Sequence, residues 1–284
     1  RMAVAEIGDD RIIEVSVEYT YGPKRLHTAY NFSLISGYGI SAEYIKAPIE
    51  QWENEAKGKS WPSWAFSNHD VERIVTRWGG EHEGDPRLAK VLMTLLLSIK
   101  GNAFIYQGEE LGLPDAHIPY DRIEDPWGLY LYPKWQGRDG ARTPFPWTSS
   151  FPDAGFSGTG KSWLPIDHRH FKLSKAMQDA DKNSVLNVTR RLLAWRKEHD
   201  AMRLGDIRQI TCHENDKALL FERFTDSQSV LCAFNLSHEP LDWSVEMLQN
   251  IPDQDSALNE DGISGRFSNG VLELPAFGFC FLKG

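Results

Sequence analysis

Three polar residues follow a short run of aromatic and small residues in the stretch SWAFSNHDVER, residues 63–73, namely Asn68, His69 and Asp70. A buried parallel strand reads as a short apolar run, and the residues at its carboxyl end point into the pocket that the fold builds there. In α/β barrels that end of the strand carries the catalytic residues. The alternative is that the three residues only open a loop and cap the next helix.

The same pattern of an apolar run followed by polar residues recurs at residues 102–106, NAFIY, which precede QGEE. A helix comes before this run, since Asp85 is a good N-cap, Pro86 suits the first helical position, and apolar residues then recur at steps of three and four. Residues 2–6 and 27–34 are two further candidate strands. Alternation of helices and strands predicts parallel strands that are connected by right-handed crossovers. Such strands form either a doubly wound sheet or a (β/α) barrel.

The second half of the chain divides into an irregular segment and a later region of short β-prone runs. Residues 111–170 are rich in Pro, Gly and Trp without periodicity, and a long irregular segment in a compact protein is usually functional. A helix with Ser184 as N-cap follows, and from about Gly205 short β-prone runs separated by turns predict an all-β domain, a sandwich. The predicted domains are residues 1–204 and 205–284.

Composition restricts the partners. The net charge is −9, from 31 basic and 40 acidic residues, which argues against a nucleic-acid partner. Aromatic residues make up 12% and include ten Trp, which suits surfaces that stack on sugar rings and equally suits a core.

Three widely spaced Cys predict neither disulfides nor a metal site and favour a reducing, cytoplasmic location. The sequence contains no run of eighteen apolar residues, so it predicts no membrane-spanning helix.

Several motifs together resemble a known family. SWAFSNHDVER, GNAFIYQGEELGLPD, IPYDRIEDPWG and GRDGARTPFPW are similar to successive loops of α-glucosidases in glycoside hydrolase family 13, the α-amylase family. The later stretches resemble that family's last barrel helix and its C-terminal β domain, so the resemblance runs the whole length. It implies an α/β fold, namely the C-terminal half of a (β/α)8 TIM barrel (strands five to eight, with a long final loop), followed by an all-β sandwich.

The resemblance also implies catalytic residues. Asp70 matches the family's third carboxylate, which holds the hydroxyls of the sugar being cleaved, and His69 and Asn68 accompany it in substrate binding. Negative charge there suits an oxocarbenium-like transition state. Glu6, in AVAEIG, resembles the general acid and base of a retaining mechanism, a role that needs a pKa raised by burial or by a nearby carboxylate. The alternative is a strand-end Glu facing solvent; Glu14 and Glu18 are weaker candidates for the acid.

Arg138, in GRDGAR, resembles the family's arginine that binds the sugar and pairs with the carboxylates, with Arg142 as second choice. The alternative for either arginine is to hold the long loop against the barrel. Aromatic residues of the same segment are candidates to stack on a second sugar or simply to pack: Trp127, Tyr130, Tyr132, Trp135 and Trp147.

The family's nucleophile, an Asp in a Gly-Phe-Arg-x-Asp type motif at the fourth strand, has no match here. We therefore expect these 284 residues to be the C-terminal part of a longer enzyme, inactive alone. The resemblance implies no metal and no cofactor in this part, because the family's calcium loop, when present, belongs to the first half. His168, His170, Glu81 and Glu83 are read as solvated loop residues.

The predicted function is a retaining glycosidase that releases α-linked glucose from maltose-like oligosaccharides or sucrose by double displacement. Glucosyl transfer or isomerisation within the same family is an alternative, because water and a sugar hydroxyl compete for the same intermediate. A second alternative is a non-catalytic relative, either carbohydrate-binding or transporter-associated. The expected partner is a small oligosaccharide; the sequence does not determine the oligomeric state.

Overall fold

The computed structural model describes residues 2–248 and 251–284. Helices and short strands alternate at first: β1 (Val4–Glu6), α1 (Ile12–Thr20), β2 (Thr28–Tyr30), α2 (Ala42–Ala56), β3 (Ser63–Ala65), α3 (Ile74–Gly79), α4 (Pro86–Ser98) and β4 (Asn102–Phe104). Only helices follow up to residue 205: α5 (Pro126–Leu131), α6 (His168–Lys172), α7 (Lys175–Ala180), α8 (Val185–Glu198) and α9 (Asp200–Arg203), with 3-10 turns at 109–111, 120–122 and 139–142. Within the described ranges, no helix combines the length and the apolar character needed to cross a bilayer.

The strands of this first part pair in parallel, β1 with β2 and β3 with β4. The Ser63 hydroxyl donates to the carbonyl of Ala29, which places β3 beside β2. Each of the four predicted strand segments contains a strand, but each strand is only three residues long. Because parallel strands point the same way, their carboxyl ends lie at one edge.

The two predicted helix caps are present. Asp85 accepts a hydrogen bond of 2.8 Å from the Arg87 amide with Pro86 in the first helical position, and Ser184 accepts one of 3.2 Å from the Asn187 amide. Each cap satisfies a backbone donor that the helix itself leaves free. These local signals set where α4 and α8 begin, as the sequence predicted.

From Asp206 onward the described residues form two antiparallel sheets. The strands are β5 (Asp206–Cys212), β6 (Ala218–Phe224), β7 (Ser229–Asn235), β8 (Leu241–Ser244), β9 (Gln254–Asp255), β10 (Arg266–Ser268), β11 (Val271–Leu274) and β12 (Phe279–Lys283). The sheet orders are β12-β7-β6-β5 and β8-β11-β10-β9. Along β6, Leu219 and Phe221 pack in the cluster shared with the helices, whereas Leu220 packs with Phe267 and Leu272 of the other sheet. The first sheet is therefore buried on both faces.

Arg223 of β6 joins the two parts of the chain. Its side chain is fully buried, and it donates to the carbonyls of Ser98 at 2.6 Å, Gly205 at 2.9 Å and Asp206 at 3.3 Å. Burial lowers the pKa of this guanidinium to about 10. The cost of burying the charge is offset by donors that satisfy carbonyls at the end of α4 and the start of β5.

We expect Arg223→Met to lower the free energy of unfolding by about 2–3 kcal/mol, because buried carbonyls lose their donor. Arg266→Met is the matched control, since Arg266 pairs with Glu273 while both side chains stay exposed, at 58% and 37%, and exposed ion pairs contribute about 1 kcal/mol or less. Urea unfolding of both variants checks the difference. Equal losses would contradict the role given to Arg223.

Candidate active site

A cavity of about 360 Å³ opens where the carboxyl ends of the four parallel strands meet. All four strands, or the residues after them, contribute to its lining: Val4, Ala5, Glu6, Tyr30, Phe32, Ser67, Asn68, His69, Phe104, Ile105 and Tyr106. Glu6, from one sequence motif, and Asn68 and His69, from another, therefore line one cavity. The parallel pairing brings them there, because each follows or ends a strand.

Glu6 is exposed at the end of β1. The described residues therefore do not supply the burial that the sequence-based expectation for this carboxyl invoked. Among the described residues β1 pairs with β2 alone, and no other described strand covers its second edge. Glu6 lines the cavity and is also exposed to solvent. The sequence had offered a position in the site and a position facing solvent as alternatives, and Glu6 has features of both.

Asp70 is held by both predicted arginines. Arg138 Nη1 and Arg142 Nη2 donate to Asp70 Oδ1 at 3.0 and 2.7 Å. Arg142 Nε also donates to the His69 carbonyl at 2.6 Å, and the Asp70 amide donates to Asn68 Oδ1 at 2.8 Å. His69 Nε2 lies 3.6 Å from Asp70 Oδ2. Two cations on one oxygen fix the carboxylate and leave Oδ2 for a ligand.

None of the three residues of the Asn-His-Asp motif caps the following helix. Helix α3 begins at Ile74, and the residue before it, Arg73, makes no capping hydrogen bond through its side chain. Asn68 instead closes a local turn on the Asp70 amide. The capping interpretation from the sequence is therefore wrong.

Asp125 is a site residue that sequence reasoning missed. Its buried carboxylate accepts from the Arg138 amide and Nε at 2.8 Å each and from Nη2 at 2.9 Å. It also caps α5 by accepting from the Trp127 amide at 3.2 Å. Gly137 allows this approach, since a Cβ there would lie 2.8 Å from Asp125 Oδ2. An Asp directly before Pro126 is a recognisable cap signal, but the cap alone does not reveal the arginine.

The Arg138 side chain holds the pKa of Asp125 well below its usual range. A depressed carboxyl pKa contributes stability that is present above the unfolded-state pKa, about 3.9, and lost as the pH falls below it. We expect the melting temperature to fall between about pH 5 and pH 3, and Asp125→Asn to show a smaller fall over that range. Thermal melts of both proteins across the range test this. Parallel curves would contradict it.

Glu109 fixes the ends of β3 and β4 relative to each other. It accepts from the Ser67 hydroxyl at 2.6 Å and from the Tyr106 amide at 2.8 Å. Burial raises the pKa of Glu109 to about 7. Tyr30 donates to the Ser67 carbonyl at 3.1 Å, and burial followed by the charges of Glu109 and Glu6 raises its pKa. The floor of the cavity is thus a buried hydrogen-bonded network.

Arg73, the last residue of SNHDVER, joins the loops around the site. It is fully buried and donates to the carbonyls of Gly140 at 2.9 Å and of Pro114 and Gln107 at 3.3 Å each. Its amide donates to Asp115 at 2.8 Å. No local pattern in the sequence indicated this role, because the partners are carbonyls up to 67 residues away.

The chain matches a known family over most of its length. Residues 14–205 match the alpha-amylase model, described as the alpha amylase catalytic domain. The chain belongs to the α-amylase family. This confirms the resemblance found in the motifs, and the matched region ends where β5 begins.

Individual relatives of this α-amylase family chain are glucoside-acting enzymes by name. A probable alpha-glucosidase of Rhizobium meliloti (strain 1021) is 36% identical over 283 residues, which is 99% of this chain and 49% of the relative. An oligo-1,6-glucosidase of Heyndrickxia coagulans is 29% identical over 83% of this chain and 48% of its own length. The chain thus spans about half the length of the curated relatives it matches.

Solved structures agree with the fold. An alpha-glucosyl transfer enzyme, XgtA, superposes with a TM-score of 0.89 and 37% identity, over 100% of this chain and 51% of that one. The trehalulose synthase MutB from Pseudomonas mesoacidophila MX-45 superposes with a TM-score of 0.84 over 99% of this chain and 55% of that one, at 23% identity. At this identity the second similarity supports the fold alone.

Proposed function

We propose that this chain supplies part of the active site of a retaining glycosidase that releases α-linked glucose from maltose-like oligosaccharides. The observation that carries the proposal is that Glu6 and His69 line one cavity at the ends of the parallel strands, next to Asp70, which two arginines hold and which lines the adjoining cavity. Because the chain spans about half of its relatives, the activity is proposed for the full-length polypeptide. In this proposal residues 1–204 form the C-terminal half of a barrel and the nucleophile comes from outside the 284 residues.

The geometry supports the following proposed roles. Glu6 protonates the oxygen of the leaving sugar and later activates water, which its position in the open cavity permits. Asp70 and His69 bind hydroxyls of the glucose ring, and the Asp70 charge stabilises the positive charge that develops on the ring. Arg138 and Arg142 prevent Asp70 from turning away. Asn68 fixes the turn that presents Asp70.

The test uses the full-length polypeptide with an aryl α-glucoside and with maltose. Proton NMR follows the anomer that is released first, and a double displacement is expected to give α-glucose. Initial release of β-glucose would contradict the retaining mechanism. Absence of glucose release from either substrate would favour the non-catalytic relative.

Glucosyl transfer is a second candidate function, supported by the 37% identity to an alpha-glucosyl transfer enzyme. In transfer, a sugar hydroxyl rather than water takes the glucose from the covalent intermediate. Incubating the full-length polypeptide with an aryl α-glucoside and excess maltose separates the two functions. Trisaccharide products indicate transfer, and glucose alone indicates hydrolysis.

A further inference from the structure

Glu109 is a buried carboxylate beneath the cavity that Glu6 lines. It is 3% exposed, and each of its oxygens accepts a hydrogen bond from a residue that lines this cavity. Oε1 accepts from the Ser67 hydroxyl at 2.6 Å, and Oε2 accepts from the Tyr106 amide at 2.8 Å. Ser67 directly precedes Asn68. Glu109 therefore holds the start of the Asn-His-Asp motif against the residues that follow β4.

Within the described ranges, Glu109 forms no ion pair, and both of its hydrogen bonds come from neutral donors. The titratable and charged groups around it come from three strand ends: Tyr30 of β2, Arg73 and Arg77 after β3, and Tyr106 and Glu110 after β4. The two arginines donate to backbone carbonyls instead. Apolar residues contact the turn at 109–111 and the glycine after it where α4 and α8 pack there: Ala89, Val185 and Leu186.

Protonation of Glu109 reverses one of its hydrogen bonds. A buried charge without a paired cation is unfavourable, and burial raises the pKa of Glu109 to about 7. The ionised carboxylate only accepts hydrogen bonds, whereas the protonated group carries an O–H that must donate. Because the Tyr106 amide can only donate, the new O–H faces the Ser67 hydroxyl. The Ser67 hydroxyl then loses its buried acceptor.

We propose that Glu109 is a positioning residue whose ionised form holds Ser67 and Tyr106 in the arrangement that turnover requires, and whose protonated form does not. The inference rests on the proposed function and adds control by pH to the same site. Two effects of the ionised form act in the same direction. It fixes the backbone that leads into His69 and Asp70, and it places a negative charge below a sugar ring that becomes positive in the transition state.

Glu109→Gln imitates the protonated form, because its amide oxygen can accept from Tyr106 and its amide nitrogen can donate to Ser67. A carboxyl with a pKa of about 7 is about one tenth ionised at pH 6 and about nine tenths ionised at pH 8. We therefore expect kcat/KM of the full-length polypeptide for 2,4-dinitrophenyl α-glucoside to rise about tenfold over this range. The Glu109→Gln variant should stay near the lower level throughout.

The dinitrophenyl substrate is chosen because its leaving group needs no protonation, so a falling limb from Glu6 as acid does not hide the rise. Glu110→Gln is the matched control. Its carboxylate accepts from the Gly108 amide at 2.8 Å and contacts neither Ser67 nor Tyr106 through a hydrogen bond among the described residues. This variant should keep the rise and move its midpoint to lower pH, because the negative charge of Glu110 raises the pKa of Glu109.

Thermal melts give a readout that does not depend on activity. The folded protein keeps the Glu109 proton up to about pH 7, whereas the unfolded chain releases it near pH 4.3, so ionisation lowers stability between these values. The melting temperature of Glu109→Gln should therefore increase relative to that of the unchanged protein from about pH 5 to pH 7. A constant difference between the two proteins would show that Glu109 does not ionise in this range and would overturn the inference.

The kinetic outcomes separate the inference from the proposed function. A rise that persists in Glu109→Gln belongs to another group and overturns the inference alone, as does a flat profile in the unchanged protein. An unmoved midpoint in Glu110→Gln also overturns it, even where Glu109→Gln folds poorly. If the unchanged full-length polypeptide cleaves no α-glucoside, the proposed function fails, and the inference fails with it.

Discussion

Asp70→Asn in the full-length polypeptide is expected to abolish glucose release from an aryl α-glucoside, with a loss in kcat of about 10³-fold or more. The substitution keeps the shape of the side chain and removes its charge. The developing positive charge on the glucose ring then loses its partner, and Arg142, whose Nη2 lies 2.7 Å from Asp70 Oδ1, loses its carboxylate, whereas Arg138 keeps its ion pair with Asp125. Both changes destabilise the transition state more than the bound substrate.

Steady-state kinetics with thermal melts distinguishes this loss from a folding defect. Asp70 is 44% exposed, so its replacement is expected to leave the melting temperature nearly unchanged. Asp121→Asn is the control, because Asp121 is an exposed carboxylate of the same long segment. Near-normal turnover by the Asp70 variant would refute the assignment of this residue.

The sequence predicted the parts of this site that depend on local patterns. Short apolar runs ending in polar residues located β1, β3 and β4, and parallel pairing then brought Glu6 and His69 to one cavity. Capping chemistry located the start of α4 for the same reason, since an N-cap needs only the residues next to it. The predicted strands were longer than the observed ones. A sequence does not distinguish an apolar residue just beyond the last interstrand hydrogen bond from an apolar residue within the strand.

The contacts that hold the site together were not predictable in this way. Arg138 reaches Asp125 13 residues back and Asp70 68 residues back, and Arg73 reaches the carbonyl of Gly140. Such pairs depend on how the long loop folds over the strand ends, and residues 111–170 have no periodicity from which to predict that. Asp125 stands before Pro126 in a typical helix-capping pattern, and Arg138 was a candidate site residue. No local pattern in the sequence indicated that these two side chains pair with each other.

The exposure of Glu6 illustrates a further limit. A short small-apolar run predicts a strand but does not say how many neighbours the strand has. Among the described residues β1 has one strand neighbour, β2, and Glu6 is exposed. The proposed acid role therefore requires surroundings that the described residues do not supply by themselves.

Glu6→Gln is the second substitution with a large expected effect, and it depends on the leaving group. An acid that protonates the leaving oxygen contributes about 10²- to 10⁴-fold, so the full-length variant should lose that much kcat/KM on maltose. A 2,4-dinitrophenyl α-glucoside needs no protonation to leave, so formation of the intermediate should be affected much less. Glu18→Gln, which alters an exposed glutamate on α1, is the control and should leave both substrates unchanged.

The second half of a double displacement gives an independent readout of the same residue. Without Glu6 as base, water attacks the intermediate slowly, whereas azide needs no base and is small enough to enter an open cavity of about 360 Å³. Azide should therefore accelerate turnover of the dinitrophenyl glucoside by the variant and give α-glucosyl azide. A variant that loses activity equally on both leaving groups and gains nothing from azide would show that Glu6 supports the fold of the site and transfers no proton.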